Sequence, residues 1–148
     1  MVQRVREARV LVDGETTGEI GAGLCVLLGV AQEDDEAAAE RLAAKAARLR
    51  VFENEDGKFD RSLVDVGGAA LVVSQFTLIA DTAKGNRPSF SGAARPERAE
   101  PLYETFCAAL GREGVEVARG SFGARMVVEI SGDGPVTVIL DTDRTIPS

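Results

Sequence analysis

The chain predicts a mixed α/β domain, rich in strands, in which curved and largely antiparallel sheets carry two helices on one face. Three observations point there. Strand formers alternate with charged or polar residues at 2–12, and strand-like apolar runs recur at 24–30, 70–79, 126–130 and 136–141. Two segments carry a helical stripe, residues 34–49 and 96–110. Short Gly-rich turns alternate with these helices, so hairpins mix with crossovers. At 148 residues the chain fits one domain, residues 1–148, with a real core.

Each element has its own reason. Residues 2–12 form the first strand, Asp13-Gly14 is a hairpin signal, and residues 15–20 return. Gly21-Ala22-Gly23 breaks the chain before residues 24–30, a near-continuous apolar run and hence a central strand. Asp34 and Asp35 start a helix whose stripe is Ala38, Leu42, Ala46 and Leu49, with Arg48 near its end to suit the dipole. Val51-Phe52 is a short strand, residues 54–57 a turn, and residues 62–66 another strand before Gly67-Gly68. Residues 70–79 form a strand and 81–94 a loop. Pro96 opens a second helix, striped by Leu102, Phe106 and Leu110 and ended by Gly111 and Gly114. Pro101 interrupts it, so the helix either kinks there or begins in earnest there. Residues 115–118, 126–130 and 136–141 complete the strands.

Composition narrows the chemistry. There is no histidine, which excludes Ser-His and Cys-His catalysis and His-ligated zinc. The two thiols, Cys25 in an apolar strand and Cys107 on a helix, read as core residues without metal-ligand company. No apolar stretch approaches the roughly 20 residues of a membrane helix. The start of the chain has no hydrophobic signal region, so a cytoplasmic location is expected. A net charge of −7 argues against general nucleic-acid affinity, DNA included, so any RNA contact needs a local cationic patch. Lys84, Arg87, Arg95 and Arg98 supply one, although a solvated loop and helix start explain them equally.

Three segments carry chemistry. In Leu71-Val72-Val73-Ser74-Gln75-Phe76-Thr77-Leu78 an apolar run suddenly admits polar groups. Buried hydroxyls and amides cost roughly 1–3 kcal/mol each unless hydrogen-bonded, by the protein or by a ligand. Gly132-Asp133-Gly134-Pro135-Val136-Thr137 lies between two strand-like runs and has turn chemistry, with an X-Pro bond at which cis is accessible; a plain hairpin turn is the simple reading. Gly85-Asn86-Arg87-Pro88-Ser89-Phe90, after Lys84, is a polar cationic loop.

Together these segments resemble the D-aminoacyl-tRNA deacylase family, also called D-tyrosyl-tRNA deacylases. Ser74-Gln75-Phe76-Thr77-Leu78 matches its signature strand, residues 85–90 its following loop, and Gly134-Pro135-Val136-Thr137 its Gly-Pro motif. The likeness extends to Gln3-Arg4-Val5 and to residues 17–24, in the family's order along nearly the whole chain. Gly132, where the family commonly has Asn, and Pro101, where it usually has a helix former, depart from the pattern.

The resemblance implies the family fold, a homodimer, and hydrolysis of D-aminoacyl-tRNA without metal or organic cofactor. It implies chirality proofreading in translation. Glycine mischarged on tRNA would be accepted and L-aminoacyl esters rejected sterically. Ser74, Gln75, Phe76 and Thr77 would form the catalytic segment. Gly134 and Pro135, inserted in cis from the partner subunit, would face the amino acid, with Arg4 holding the motif and Met126 near the pocket or in the core. Lys84 and Arg87 would hold the acceptor end of tRNA. Thr77 is the obvious nucleophile, but a threonine hydroxyl needs a base such as Asp81 or Lys84, and the spacing shows none. Alternatively the ribose hydroxyl and α-ammonium of the substrate assist, and backbone N–H groups at Phe76 and Thr77 stabilise the oxyanion. A non-catalytic dimeric binding protein and a general esterase using Thr77 are the competing readings.

Overall fold

The structure, a computed structural model, describes residues 1–143. Its strands in chain order are β1 (Val2–Val12), β2 (Glu15–Ile20), β3 (Gly23–Leu28), β4 (Phe52–Glu53), β5 (Phe59–Arg61), β6 (Ala69–Ser74), β7 (Glu116–Arg119) and β8 (Val127–Val138). The helices are α1 (Glu36–Arg48), α2 (Leu63–Val66) and α3 (Pro96–Arg112). The main sheet runs β2-β1-β3-β6-β7, with β8 also on β1, while β4 and β5 form a separate hairpin. β1 pairs antiparallel with β2, β3 and β8, and β3-β6-β7 are parallel. Antiparallel pairing therefore predominates, as expected, and α1 supplies the crossover between β3 and β6 that parallel neighbours require.

Alternation splits the core in two. Leu24, Val26, Leu28, Ala70 and Val72 face α1 and α3, where they meet Ala43, Ala46, Phe106 and Leu110. Cys25, Leu71 and Val73 face the other way, against Val5, Ala8, Val10 and Ile20. Val5 and Ala8 share that face although they stand three apart, because the register of β1 on β8 shifts between Val5 and Glu7. The end strands β2 and β7 touch, so the sheet curls almost into a barrel. A Cβ on Gly18 would lie 2.2 Å from the Arg119 carbonyl oxygen, so only glycine permits that contact.

Several local expectations hold. Asp13 (φ 51°) and Gly14 (φ 81°) are both left-handed, as a tight hairpin requires. Asp35 caps α1 by accepting from the Ala38 N–H at 2.8 Å. The expectation that the second helix begins in earnest at Pro101 is corrected: α3 starts at Pro96 and runs through Pro101 as one helix. The hydrogen bond lost there belongs to the Glu97 carbonyl, in the exposed first turn, where water can replace it.

Three further expectations are corrected. Residues 62–66 are not a strand but the short helix α2, started by a reciprocal capping box between Ser62 and Asp65 and closed by left-handed Gly67. Residues 126–130 and 136–141 are not two strands of a hairpin. Both ends of the single strand β8 pair with β1 in one direction, and residues 133–136 bulge outward opposite Arg4. The strand expected over 70–79 stops at Ser74.

Candidate active site

β6 stops at Ser74 because its parallel neighbour ends. The Gln75 N–H donates to the Leu28 carbonyl at 2.8 Å, and the chain then turns into a 3₁₀ segment, Phe76–Leu78. Leu78 N–H bonds to Gln75 O at 3.2 Å and Ile79 N–H to Phe76 O at 3.0 Å. Gly29 makes room for the turn: a Cβ there would meet the Leu78 Cβ at 3.0 Å. The first two N–H groups of such a turn have no internal acceptor. Those of Phe76 and Thr77 have no hydrogen-bond partner among the described residues. They belong to an exposed corner, with Phe76 57% exposed and its ring edge-on to Phe90 at 5.4 Å.

Thr77 Oγ1 accepts a hydrogen bond from the Gln75 side-chain amide. An amide N–H takes no proton, so this contact does not activate the hydroxyl. Asp81, one candidate base, instead accepts from the Ala83 N–H at 2.9 Å. Among the described residues no carboxylate or amine is hydrogen-bonded to Thr77.

The loop after the turn is pinned at its neck. Asp81 and Ser89 exchange backbone bonds of 2.7 and 2.8 Å, which holds residues 82–88 out as a tip. Lys84 and Arg87 stand exposed on that tip, with no ion-pair partner among the described residues. Arg98 is engaged, donating to the Asp34 carbonyl at 2.6 Å, and Arg95 lies 3.9 Å from Glu97.

Gly134 and Pro135 lie exposed on the bulge of β8, and their peptide bond is cis. Arg4 grips this bulge from beneath. Its side chain is only 7% exposed, and its Nε donates to the Asp133 carbonyl at 3.2 Å while lying 3.5 Å from the Asp133 carboxylate. Its Nη1 donates to Val51 O at 2.9 Å and its Nη2 to Glu53 Oε1 at 3.2 Å. The Phe59 ring lies 5.8 Å from the guanidinium carbon. Glycine at 132 therefore sits beside a turn that is held through its neighbour Asp133. Met126 is partly buried and packs against the inner core, where its sulfur would lie 2.9 Å from a Cβ on Gly120.

A cavity of about 330 Å³ lies behind the 3₁₀ turn, lined by apolar residues such as Leu28, Leu78, Ile79 and Phe106 and also by acidic Asp34 and Asp35. Neither Gly134 nor Pro135 reaches it. Burial pushes the Cys25 thiol up to about 11 and also raises Cys107, as befits core thiols. Among the described residues no group of three or more His, Cys, Asp or Glu could hold a metal ion. No described helix is long and apolar enough to cross a membrane.

The sequence motifs fall at two separate places. Arg4, opposite the bulge, pairs with Leu24, while Leu28 pairs with Ser74. Those four residues of β3 span roughly 13 Å, and three strand steps from β8 to β6 add roughly 14 Å sideways. About 20 Å of sheet therefore separates the Gly-Pro bulge from the 3₁₀ turn. No hydrogen bond or ion pair among the described residues joins them. Sequence reasoning missed Val51, Glu53 and Phe59 as partners of Arg4, since only the fold brings the β4-β5 hairpin there.

The matching family model and curated relatives agree on one family. The model described as D-Tyr-tRNA(Tyr) deacylase matches residues 1–141. A D-aminoacyl-tRNA deacylase of Symbiobacterium thermophilum is 56% identical over 145 residues, covering 98% of this chain and 96% of that protein. One from Thermus aquaticus is 58% identical over 144 residues, covering 97% and 95%. Among solved structures, the c-Myc DNA unwinding element binding protein superimposes with a TM-score of 0.88 at 44% identity, covering 95% of each chain. A probable eukaryotic D-amino acid tRNA deacylase shares the fold at a TM-score of 0.79 and 17% identity, covering 90% and 93%.

Proposed function

The chain belongs to the D-Tyr-tRNA(Tyr) deacylase family, hydrolases of the aminoacyl-tRNA ester, and from that premise we propose that its active site is completed only between two copies of the chain. The observation that carries this is the 20 Å of sheet, in order of magnitude, between the 3₁₀ turn and the Gly-Pro bulge. A single aminoacyl ester cannot reach both motifs of one chain. A second copy, related by a two-fold axis, would bring its bulge to the first copy's turn and receive the reverse contact.

In the assembled site the 3₁₀ turn does the chemistry. Water attacks the ester carbonyl, and the oxyanion that forms meets the N–H groups of Phe76 and Thr77. Preorganised donors of this kind contribute roughly 3–4 kcal/mol each. The ribose oxygen then leaves and takes up a proton, giving free amino acid and tRNA. The Thr77 hydroxyl is not the nucleophile, because its contact is the Gln75 amide and not a base. The neighbouring ribose hydroxyl and the α-ammonium of the substrate assist instead.

The bulge reads chirality. Gly134 and Pro135 close the space that an L side chain would need, so rejection is steric. Glycine has no side chain to reject, and glycyl-tRNA is a substrate. Lys84 and Arg87 hold the acceptor end of the tRNA on an otherwise acidic protein. The role that fits is proofreading of translation in the cytoplasm. The test is hydrolysis of matched D-, L- and glycyl-tRNA by the purified chain. D and glycyl esters are cleaved and the L ester is spared. Equal cleavage of D and L esters overturns the steric account.

A further inference from the structure

We infer that Glu53 is a positioning residue for the D-over-L choice, acting on the Gly134-Pro135 bulge through Arg4. The inference rests on the reading that this bulge excludes L side chains. Its basis is the direction in which Arg4 is held. A guanidinium is planar, so fixing its edges fixes the whole group. In Arg4 one edge takes the bulge, by Nε on the Asp133 carbonyl, and the others take the β4-β5 side, by Nη1 on Val51 O and Nη2 on Glu53 Oε1. Among the described residues these two bonds carry the polar contact between β1 and the hairpin.

Nη2, the nitrogen held by Glu53, is also the atom that abuts the bulge. A Cβ on Gly134 would lie 3.2 Å from it. Glu53 therefore sets where the guanidinium edge stands against Gly134. It also matters for charge. The Arg4 side chain is 7% exposed and, among the described residues, has carboxylates within 4.0 Å only at Glu53 and Asp133. Without Glu53 the buried cation is drawn to Asp133 alone, and Nη2 swings away from Gly134. The bulge is then free to retreat from the pocket. Glu53 is 47% exposed on its own side, so its removal leaves no buried hole.

The experiment is a double-mutant cycle on the homogeneous full-length protein. D- and L-tyrosyl-tRNA are hydrolysed by wild type, Glu53→Ala, Arg4→Ala and the double variant, and each variant's Tm is measured. The expected result is a loss of D-over-L selectivity of roughly three- to tenfold in Glu53→Ala, from L-ester hydrolysis rising more than D-ester kcat/KM falls. In the Arg4→Ala background the second substitution changes selectivity no further, because the route is gone. Glu53→Gln, which keeps an acceptor but not the charge, falls between, and serves if the alanine variant is unstable. Selectivity lost in Arg4→Ala but intact in Glu53→Ala and Glu53→Gln overturns the role of Glu53 and leaves the bulge reading standing. Selectivity intact in every variant overturns the roles of both Glu53 and Arg4, whereas equal cleavage of D and L esters by the wild type overturns the bulge reading itself. Equal losses that add in the double variant overturn the route through Arg4.

Discussion

At the residue scale the chemistry depends on what each polar atom is bonded to, not on its type. Thr77 carries a hydroxyl on the 3₁₀ turn, yet its contact is the Gln75 amide and no base. Thr77→Ala keeps the backbone N–H, so it should retain deacylation within about tenfold of wild type, by single-turnover assay with D-aminoacyl-tRNA. A fall to the uncatalysed rate in a folded variant would make the hydroxyl the nucleophile. Lys84 and Arg87 make the complementary case. They stand on a pinned loop tip in a chain of net charge −7, with no ion-pair partner among the described residues. Replacing both with Ala should raise the KM for aminoacyl-tRNA and reduce the slope of log KM against log salt by about two phosphate contacts. An unchanged slope would make the tip merely solvated.

At the element scale, glycines let backbones approach where no side chain fits. Gly18 on β2 lies against the Arg119 carbonyl of β7, and an added Cβ would come within 2.2 Å of it. Gly18→Ala should thus push the sheet's two ends apart, costing about 1–3 kcal/mol of stability by urea denaturation. A variant as stable as wild type would mean that β2 and β7 are free to separate. This contact was not legible in the sequence, because closure joins strands about 100 positions apart and leaves no local pattern. What was legible rests on period. The near-continuous apolar runs of β3 and β6 are buried over most of their length, and the stripe Leu102, Phe106 and Leu110 is buried as read. Where local chemistry is ambiguous the reading failed. Ser62 and Asp65 make a capping box with Asp in the place of the usual Glu, in a run of Leu and Val that looks like a strand. Gly134-Pro135 is turn chemistry that serves a hairpin or a bulge equally well, and only the register on β1 decides. The motif residues were legible by resemblance. The partners of Arg4 were not, since Glu53 stands 49 positions away on a hairpin whose docking no periodicity encodes.

At the scale of the whole molecule the separation of the two motifs makes a prediction that one chain cannot satisfy. A chain carrying Phe76→Pro loses the N–H at the 3₁₀ turn and should be inactive as a homodimer, while keeping an intact bulge. A chain carrying Gly134→Ala keeps the turn, but its Cβ would lie 2.9 Å from Val136 Cγ2 at a φ of +120°, so its bulge must shift. Its homodimer should hydrolyse both D and L esters. Mixed dimers, purified with two different tags, discriminate the models. If each site takes its turn from one copy and its bulge from the other, the mixed dimer holds one dead site and one wild-type site. It should then cleave D esters at about half the wild-type rate and spare L esters, because its intact turn faces the partner's intact bulge. If each chain built its own site, the intact turn would face its own altered bulge, and the mixed dimer would cleave L esters as the Gly134→Ala homodimer does. That outcome, or full activity and selectivity in a monomer at micromolar concentration, would end the two-copy site. The mixed-dimer result does not depend on knowing the tRNA or the amino acid, because both arms use the same pair of enantiomeric esters.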